Sequence, residues 1–236
     1  MNITEEIVSL LFPRRCPVCD EVLLAEQYIC ETCWKKINFV KEPVCKKCGK
    51  TIERERQEYC SDCTRKKHFF TQGKAVFEYE KEMKKSMYRF KYSNKREYAD
   101  FYAKEAVRLY GKWIKQREIE AVVPIPMYQW KKRQRGYNQA EVFAERLGQL
   151  LNLPVERNLV KRIRNTRPQK ELNDIQRKEN LKKAFKIVPN IVKYRKILLV
   201  DDIFTTGSTM DAVAEAFIGA GVKDIYFICI CIGRGF

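Results

Sequence analysis

Cysteine spacing is the strongest constraint on how the first part of this chain folds. Eight of the ten cysteines form four Cys-x-x-Cys pairs between residues 16 and 63. Two thiolates at this spacing bind one face of a tetrahedral metal ion, and a second pair completes the shell. Few apolar residues separate the pairs, so the region can hardly fold without a cross-link. The pattern predicts structural zinc bound by Cys16, Cys19, Cys30, Cys33, Cys45, Cys48, Cys60 and Cys63.

The cysteine pattern leaves the pairing scheme open. Successive pairs would give one ribbon over 16–33 and another over 45–63, whereas a cross-braced arrangement would combine the same ligands differently. Disulfides are the alternative to metal, and a reducing compartment disfavours them. His68, just after the last pair, is expected to lie on the surface rather than to bind metal.

A second constraint is the segment 197–210. Four apolar residues lead into the adjacent carboxylates Asp201 and Asp202, and a polar loop then precedes an amphipathic helix. Loop N–H groups and a helix N-terminus favour a phosphate, and glycine lets the backbone approach it closely. Carboxylates at a strand end accept hydrogen bonds from vicinal sugar hydroxyls. We therefore predict a sugar-phosphate site with Asp201 and Asp202 as its catalytic and substrate-binding residues. The residues predicted to bind the phosphate are Thr205, Thr206, Gly207, Ser208 and Thr209.

Positive charge supports a phosphate ligand. The net charge is +17, and residues 69–180 carry 26 of the 47 Lys and Arg but only 14 of the 30 Asp and Glu. A field of this sign favours polyanions, with phosphate compounds and nucleic acids first among them. Arg133 and Arg135 precede a predicted helix, and a second basic stretch runs over 162–169. The two arginines and the stretch 162–169 are candidates to bind a pyrophosphate leaving group. The negative charge of this group grows as the glycosidic carbon becomes cationic.

Periodicity predicts an α/β fold with a largely parallel sheet covered on both faces. Strands are expected over 73–79, 121–125, 159–163, 185–188, 196–201 and 224–232. Helices are expected over 3–12, 80–92, 97–116, 138–151, 175–184 and 208–219. The turn after 121–125 is expected to present backbone N–H groups to a pyrophosphate, because ligands bind at the carboxyl ends of parallel strands. The sequence therefore predicts two domains: a cysteine-rich module with an N-terminal helix over 1–68 and an α/β domain over 69–236.

Tyrosines and cations alternate between residues 79 and 102. Rings stack on bases while lysines and arginines neutralise phosphates in proteins that bind single strands. The alternative is that the rings pack two helices together. The residues concerned are Tyr79, Tyr88, Tyr92, Tyr98 and Tyr102, among Lys84, Lys85, Arg89, Lys91, Lys95 and Arg96.

These features together resemble the ComF family of competence proteins over almost the whole chain. The 197–210 segment is similar to the phosphoribosyl pyrophosphate motif, and residues 135–139, Arg-Gly-Tyr-Asn-Gln, are similar to the family's Arg-Gly-Phe-Asn-Gln signature. A further family stretch is matched by Thr166, Gln169, Leu172, Arg177, Asn180, Ala184 and Phe185. The resemblance implies a type I phosphoribosyltransferase-like domain that follows a zinc-ribbon module.

The resemblance also carries functional expectations. It implies a cytoplasmic bacterial protein of natural transformation, in which incoming single-stranded DNA is taken up, and a site for phosphoribosyl pyrophosphate with magnesium. Helicases and recombination proteins are candidate partners. Enzymatic turnover stays open, because an obvious base-reading segment is not expected after the last strand, and the zinc module or residues 69–118 are the alternatives for that role. A phosphoribosyltransferase of nucleotide metabolism is the alternative function. No segment approaches the roughly 18 uninterrupted apolar residues of a membrane span.

Overall fold

The structure is a computed structural model, and it describes residues 13–24, 26–53, 56–164, 184–188 and 193–233. The predicted helix over 3–12 lies outside these residues, as does the predicted helix over 175–184 apart from Ala184. The family positions Thr166 to Asn180 and most of the second basic stretch also lie outside them.

A four-stranded parallel sheet with the order β1-β6-β5-β2 forms the centre of the larger domain. The two central strands are buried along most of their length, as expected for a parallel sheet covered on both faces. A separate antiparallel pair, β3 with β4, lies beside it. The strands are β1 (Gln72–Glu78), β2 (Ala121–Pro124), β3 (Val160–Arg162), β4 (Phe185–Ile187), β5 (Lys196–Phe204) and β6 (Asp224–Ile232). The predicted α/β fold is confirmed.

Helices cover the two faces of the sheet unequally. On one face α3, α4 and α6 bury their apolar sides in a large core, and on the other α7 packs in a second core together with β3 and β4. The helix α5 was not predicted, and it carries both Arg133 and Arg135. The helices are α1 (Glu31–Trp34), α2 (Ser61–Arg65), α3 (Lys81–Tyr92), α4 (Tyr98–Gln116), α5 (Gln129–Arg135), α6 (Gln139–Leu151) and α7 (Ser208–Gly219).

The eight paired cysteines gather into two groups of four. Their sulfurs lie within 4.8 Å of one another in each group, and each group joins successive pairs. The cross-braced alternative is therefore excluded, and the chain has a first ribbon over 16–33 and a second ribbon over 45–63. Cys16 and Cys33 belong to the core under α3 and α4, whereas Cys45 and Cys60 belong to the core under α7.

Among the described residues, no helix combines the length and the apolar character that crossing a bilayer requires.

Candidate functional site

The predicted phosphate loop lies at the carboxyl end of the central strand β5. Gly207 adopts a left-handed conformation with φ of 76° and caps the N-terminus of α7, whose first helical bond runs from the Asp211 N–H to the Gly207 carbonyl at 2.8 Å. A side chain at 207 would meet the Phe204 ring, because an added Cβ would lie 2.9 Å from its Cζ atom. Glycine is thus required there both for its backbone angle and for space.

A cleft of about 250 Å³ opens above this turn and is lined by Asp201 together with residues 203–210. The hydroxyls of Thr206 and Ser208 are 3.0 Å apart, and Thr205 is exposed at the rim. The structure therefore brings the predicted loop residues and Asp201 to one cleft at the N-terminus of a helix. That arrangement offers partial positive charge, N–H donors and hydroxyls to one anionic group.

The two carboxylates at the end of β5 differ in their partners. Asp201 Oδ1 accepts a hydrogen bond of 2.8 Å from the Asp202 N–H, and Asp202 Oδ2 lies 2.8 Å from the Lys91 Nζ of helix α3. Burial and the neighbouring Asp202 charge raise the pKa of Asp201 to about 7. One carboxylate is thus paired with a lysine, while burial and charge repulsion raise the pKa of its neighbour.

Lys91 of α3 and Arg162 of β3 are cations that act on these carboxylates, and further cations of α5 lie near Arg162. Burial lowers the pKa of Arg162 on β3, and the Asp201 charge acts against that shift. Burial and the charges of Arg162 and Arg135 lower the pKa of Lys131 on α5. Arg162 is thus the cation of β3 that acts on Asp201, and Lys131 of α5 is close enough to Arg162 and Arg135 for their charges to act on it.

The two arginines predicted to bind pyrophosphate occupy different environments. Arg133 is exposed on α5. Arg135 lies against Tyr92 instead, with its guanidinium 4.7 Å from the ring centre and its Nη2 3.0 Å from the phenol oxygen. A phosphate role for either residue stays a prediction.

The turn after β2 does not have all the free donors expected of it. The Ile125 N–H bonds to the Val200 carbonyl at 2.8 Å, and Pro126 has no N–H to offer. For Ile125 the expectation of an exposed donor is wrong, because the sheet ladder continues one residue beyond the strand.

His68 is buried, so the expectation of a surface histidine is wrong. Its Nδ1 lies 2.8 Å from Asp211 Oδ2, and the same carboxyl group accepts from Lys66 Nζ at 3.1 Å and from the Phe69 N–H at 3.2 Å. His68 Nε2 is buried and has no hydrogen-bond partner among the described residues. Residues 66–69 therefore fasten the end of the second ribbon to the first turn of α7, directly behind the phosphate loop.

Both cysteine groups fit structural zinc. Four thiolates within mutual reach match the tetrahedral sulfur shell that this ion prefers, and the sulfurs of Cys19 and Cys30 are 3.8 Å apart while those of Cys48 and Cys60 are 3.6 Å apart. All four ligands of each group come from the chain, so neither offers a vacant position for catalysis. The ions would cross-link the module rather than take part in chemistry.

From the sequence alone, Lys91 is assigned to the cations of a DNA-binding surface and Asp211 has no predicted role, although the sequence holds a signal for each. Lys91 follows Met87 by four positions, which places it at the border of the buried face of α3. Asp211 stands three residues before Ala214, on the buried face of α7, and a carboxylate in such a place needs partners.

Two family models match the chain. The double zinc ribbon domain matches residues 7–64, and the phosphoribosyl transferase domain matches residues 138–235. Competence protein F of Haemophilus influenzae is 39% identical over 108 residues, which are 45% of this chain and 47% of that protein. The expected resemblance to the ComF family is confirmed.

Two further relatives agree with this assignment. The DNA utilization protein YhgH of Escherichia coli strain K12 is 33% identical over 48% of this chain and 49% of its own length. Competence protein ComFC of Bacillus subtilis is 26% identical over 64% of this chain and 59% of its own length. The chain spans about half the length of the first two relatives that it matches.

Proposed function

We propose that this protein binds phosphoribosyl pyrophosphate, or a closely related sugar phosphate, and acts in the uptake and handling of DNA during natural transformation. The observation that carries the ligand proposal is the cleft that joins Asp201 to the glycine-capped N-terminus of α7, with Asp202 as the next residue along β5. The names of the relatives, which refer to competence and DNA utilization, support the biological role. A cytoplasmic location follows from that role.

In this proposal each end of the cleft binds one part of the ligand. The N–H groups and hydroxyls of residues 205–209 bind the 5′-phosphate, and Asp201 and Asp202 accept hydrogen bonds from the ribose hydroxyls. The same two carboxylates stabilise the positive charge that the sugar ring develops when the glycosidic bond breaks.

The pyrophosphate of the ligand faces the cations beside the aspartates. Lys131, Arg135 and Arg162 supply positive charge where a leaving pyrophosphate gains negative charge. Magnesium enters as part of the ligand, bound by pyrophosphate and ribose oxygens, and no protein ligand is assigned to it.

Calorimetry with phosphoribosyl pyrophosphate and magnesium tests the ligand proposal. Wild-type protein is expected to bind, and Asp201→Asn and Asp202→Asn are each expected to lose at least tenfold in affinity, because a charged acceptor contributes about 1.5–3 kcal/mol. Asp100→Asn is the matched control, since Asp100 lies on α4 in an ion pair with Arg146. Absence of binding by the folded wild-type protein would refute the proposal.

A phosphoribosyltransferase of nucleotide metabolism is the alternative function, and product analysis separates the two. Release of pyrophosphate that depends on an added nucleobase would favour the metabolic enzyme. Binding without such release would favour a DNA-handling protein that uses the ligand as a signal or a scaffold.

A second proposed activity is the binding of single-stranded DNA, and one surface favours it. Tyr88 and Tyr92 of α3 are 64% and 58% exposed, and their ring centres are 5.0 Å apart. Lys84, Lys85 and Arg89 line a groove beside Tyr88. Two accessible rings among cations are suited to base stacking with phosphate neutralisation. Tyr98 and Tyr102 are buried, so for these two rings the alternative of helix packing is correct.

Fluorescence anisotropy with a labelled oligonucleotide tests the DNA proposal. Tyr88→Ala and Tyr92→Ala are each expected to weaken binding about five- to hundredfold, since stacking contributes about 1–3 kcal/mol per base. Tyr59→Ala is the control, because Tyr59 is 44% exposed on the second ribbon. Affinity should fall steeply with salt. Equal effects of all three substitutions, or affinity that ignores salt, would contradict the assignment to α3.

A further inference from the structure

Lys91 is the side chain through which helix α3 reaches the twin aspartates. Its Nζ lies 2.8 Å from Asp202 Oδ2, and the two side chains are only 18% and 16% exposed. Burial acts to lower the pKa of Lys91, but the charge and hydrogen bond of Asp202 together with the charge of Asp201 raise it overall. A largely buried lysine therefore lies against Asp202, next to Asp201.

The Arg135–Gln139 signature holds the end of α3 that carries this lysine. The Tyr137 hydroxyl donates to the Phe90 carbonyl, and the Gln139 amide donates to the carbonyls of Phe90 and Lys91 at 3.4 and 3.5 Å. Gln139 and Tyr137 are buried. These carbonyls belong to the last turn of α3, which has no intrahelical donors for them. The signature thus fixes the backbone from which Lys91 extends.

We propose that Lys91 is the positioning residue of the twin-aspartate site: it orients Asp202 and offsets the negative charge of the two adjacent carboxylates, and the Arg135–Gln139 segment holds it in place. Oδ2 of Asp202 bonds to the lysine, so Oδ1 remains to accept a ribose hydroxyl. The lysine also neutralises one of two adjacent negative charges, without which the carboxylates would repel each other. The ligand part of this inference rests on the proposed function, whereas the charge part does not.

The electrostatic surroundings of Asp201 define what the loss of Lys91 would do. Asp202 and the buried Cys229 thiol of β6 lie on its own sheet, Lys91 faces it from α3, and Arg162 faces it from β3. Lys91 and Arg162 act to lower the pKa of Asp201, against burial and the Asp202 charge. Removal of the lysine charge therefore raises this pKa further, and Asp201 then takes up a proton at a higher pH.

The first experiment needs no ligand. Carboxyl ¹³C NMR of aspartate-labelled protein follows the titration of Asp201, which is identified by its absence in Asp201→Asn. We expect Lys91→Met to move the Asp201 midpoint to higher pH, because the Lys91 charge acts to lower the pKa of Asp201. Lys91→Arg should keep the wild-type midpoint within a few tenths, and the exposed Lys112→Met of α4 is the control.

The second experiment follows the affinity for phosphoribosyl pyrophosphate with magnesium from pH 5.5 to 9. In wild-type protein we expect affinity to fall as the pH drops through about 7, where Asp201 gains its proton. In Lys91→Met the fall should begin at a higher pH, and Gln139→Leu should show a smaller displacement in the same direction, because it frees the end of α3. Circular dichroism of each variant establishes that it is folded.

The outcomes separate this inference from the proposed function. An unchanged Asp201 titration in folded Lys91→Met overturns the positioning role whether or not the ligand binds. A displaced titration together with absent binding in the wild-type protein refutes the ligand and leaves the electrostatic role of Lys91 established. Failure of Lys91→Arg to restore the wild-type midpoint would also overturn the inference, because the role depends on charge.

Discussion

The two ribbons have the same ligand pattern of two Cys-x-x-Cys pairs, yet they attach to opposite faces of the sheet. The first ribbon packs into the core of α3, α4 and α6, and the second ribbon packs into the core of α7. Each therefore supports a different functional surface. The first stands behind the exposed tyrosines of α3, and the second stands behind the phosphate loop.

The contacts of the first ribbon are made with helices. The Tyr98 hydroxyl of α4 donates to Asp20 Oδ1 at 2.6 Å, and Lys95 Nζ lies 2.9 Å from the same oxygen. Ser86 and Arg89 of α3 donate to the carbonyls of Pro17 and Val18 in the first knuckle. Loss of this ribbon would free α4 and the middle of α3, while residues 205–209 keep their own supports and Gln139 still holds the end of α3 that carries Lys91.

The contacts of the second ribbon are made with β1 and with the loop behind α7. The Gly73 N–H bonds to the Lys47 carbonyl at 2.8 Å, and the Thr51 hydroxyl bonds to Glu78 at 3.0 Å. Buried Lys50 pairs with Asp62 at 2.7 Å, and its ammonium lies 6.0 Å from the centre of the Phe204 ring. One duplicated motif thus supports two different surfaces of the same domain: the helices on one face of the sheet and the loop before α7 on the other.

Removal of one zinc site at a time should have the largest effect and should separate the roles of the two ribbons. Cys16→Ser and Cys48→Ser are each expected to lower the zinc content from two ions to one per chain, and each should destabilise the module severely, because structural zinc contributes about 10–16 kcal/mol to folding of such units. Cys48→Ser should abolish sugar-phosphate binding, whereas Cys16→Ser should reduce DNA affinity more than sugar-phosphate affinity. Metal analysis and the two binding assays check this. Equal loss of both binding activities in both variants would contradict separate roles for the two ribbons.

Gly207→Ala probes the loop that the second ribbon supports. We expect it to lose sugar-phosphate binding and about 1–3 kcal/mol of stability, since alanine is strained at this φ and its Cβ would press on Phe204. Phe204 cannot easily move, because its ring stacks on Phe227 with centres 4.7 Å apart. Chemical denaturation gives the stability. Gly219→Ala, whose Cβ would meet open space, should leave stability unchanged or slightly higher.

Asp211→Asn tests the fastening between the second ribbon and α7. One carboxyl group serves Lys66, His68 and the Phe69 N–H, so an amide would leave at least one buried donor facing another donor. We expect a loss of about 2 kcal/mol and weaker sugar-phosphate binding with unchanged zinc content. A variant with wild-type stability and affinity would show that residues 66–69 do not support the loop.

Tyr98→Phe tests the attachment of the first ribbon to α4, as Asp211→Asn tests that of the second ribbon to α7. Loss of one hydrogen bond to Asp20 should cost about 1 kcal/mol and leave sugar-phosphate binding unaltered. Although burial acts to raise it, the hydrogen bonds from Tyr98 and Lys95 hold the pKa of Asp20 below its ordinary value. This carboxylate therefore adds stability above the pKa of the unfolded chain, and the gain is lost as the pH falls through the lower folded value. In Tyr98→Phe that acid-dependent gain should shrink, as pH-dependent denaturation would detect.

Local patterns predicted most of the fold and the positions of both zinc groups. The strands β5 and β6 and the helices α3, α4, α6 and α7 lie within a few residues of their predicted bounds, because apolar periodicity and caps act over short distances. The strand, glycine and helix that make up the predicted phosphate loop are consecutive, so their placement was predictable for the same reason, whereas phosphate binding stays a prediction.

Contacts between distant parts of the chain were beyond local patterns. His68 and Asp211 are 143 residues apart, and the partner of Lys91 is on another element, so neither pair could be predicted from spacing. The short helix α5 was missed because its run of cations has no apolar periodicity of its own. Local order thus predicts which residues could bind a ligand, while tertiary packing determines which charges face them.

A crystal structure grown with phosphoribosyl pyrophosphate and magnesium tests the central claim most directly. We predict the 5′-phosphate within about 3 Å of N–H groups of residues 205–209 and the ribose hydroxyls on Asp201 and Asp202. A ligand bound elsewhere, with the loop closed by its own side chains, would contradict the account.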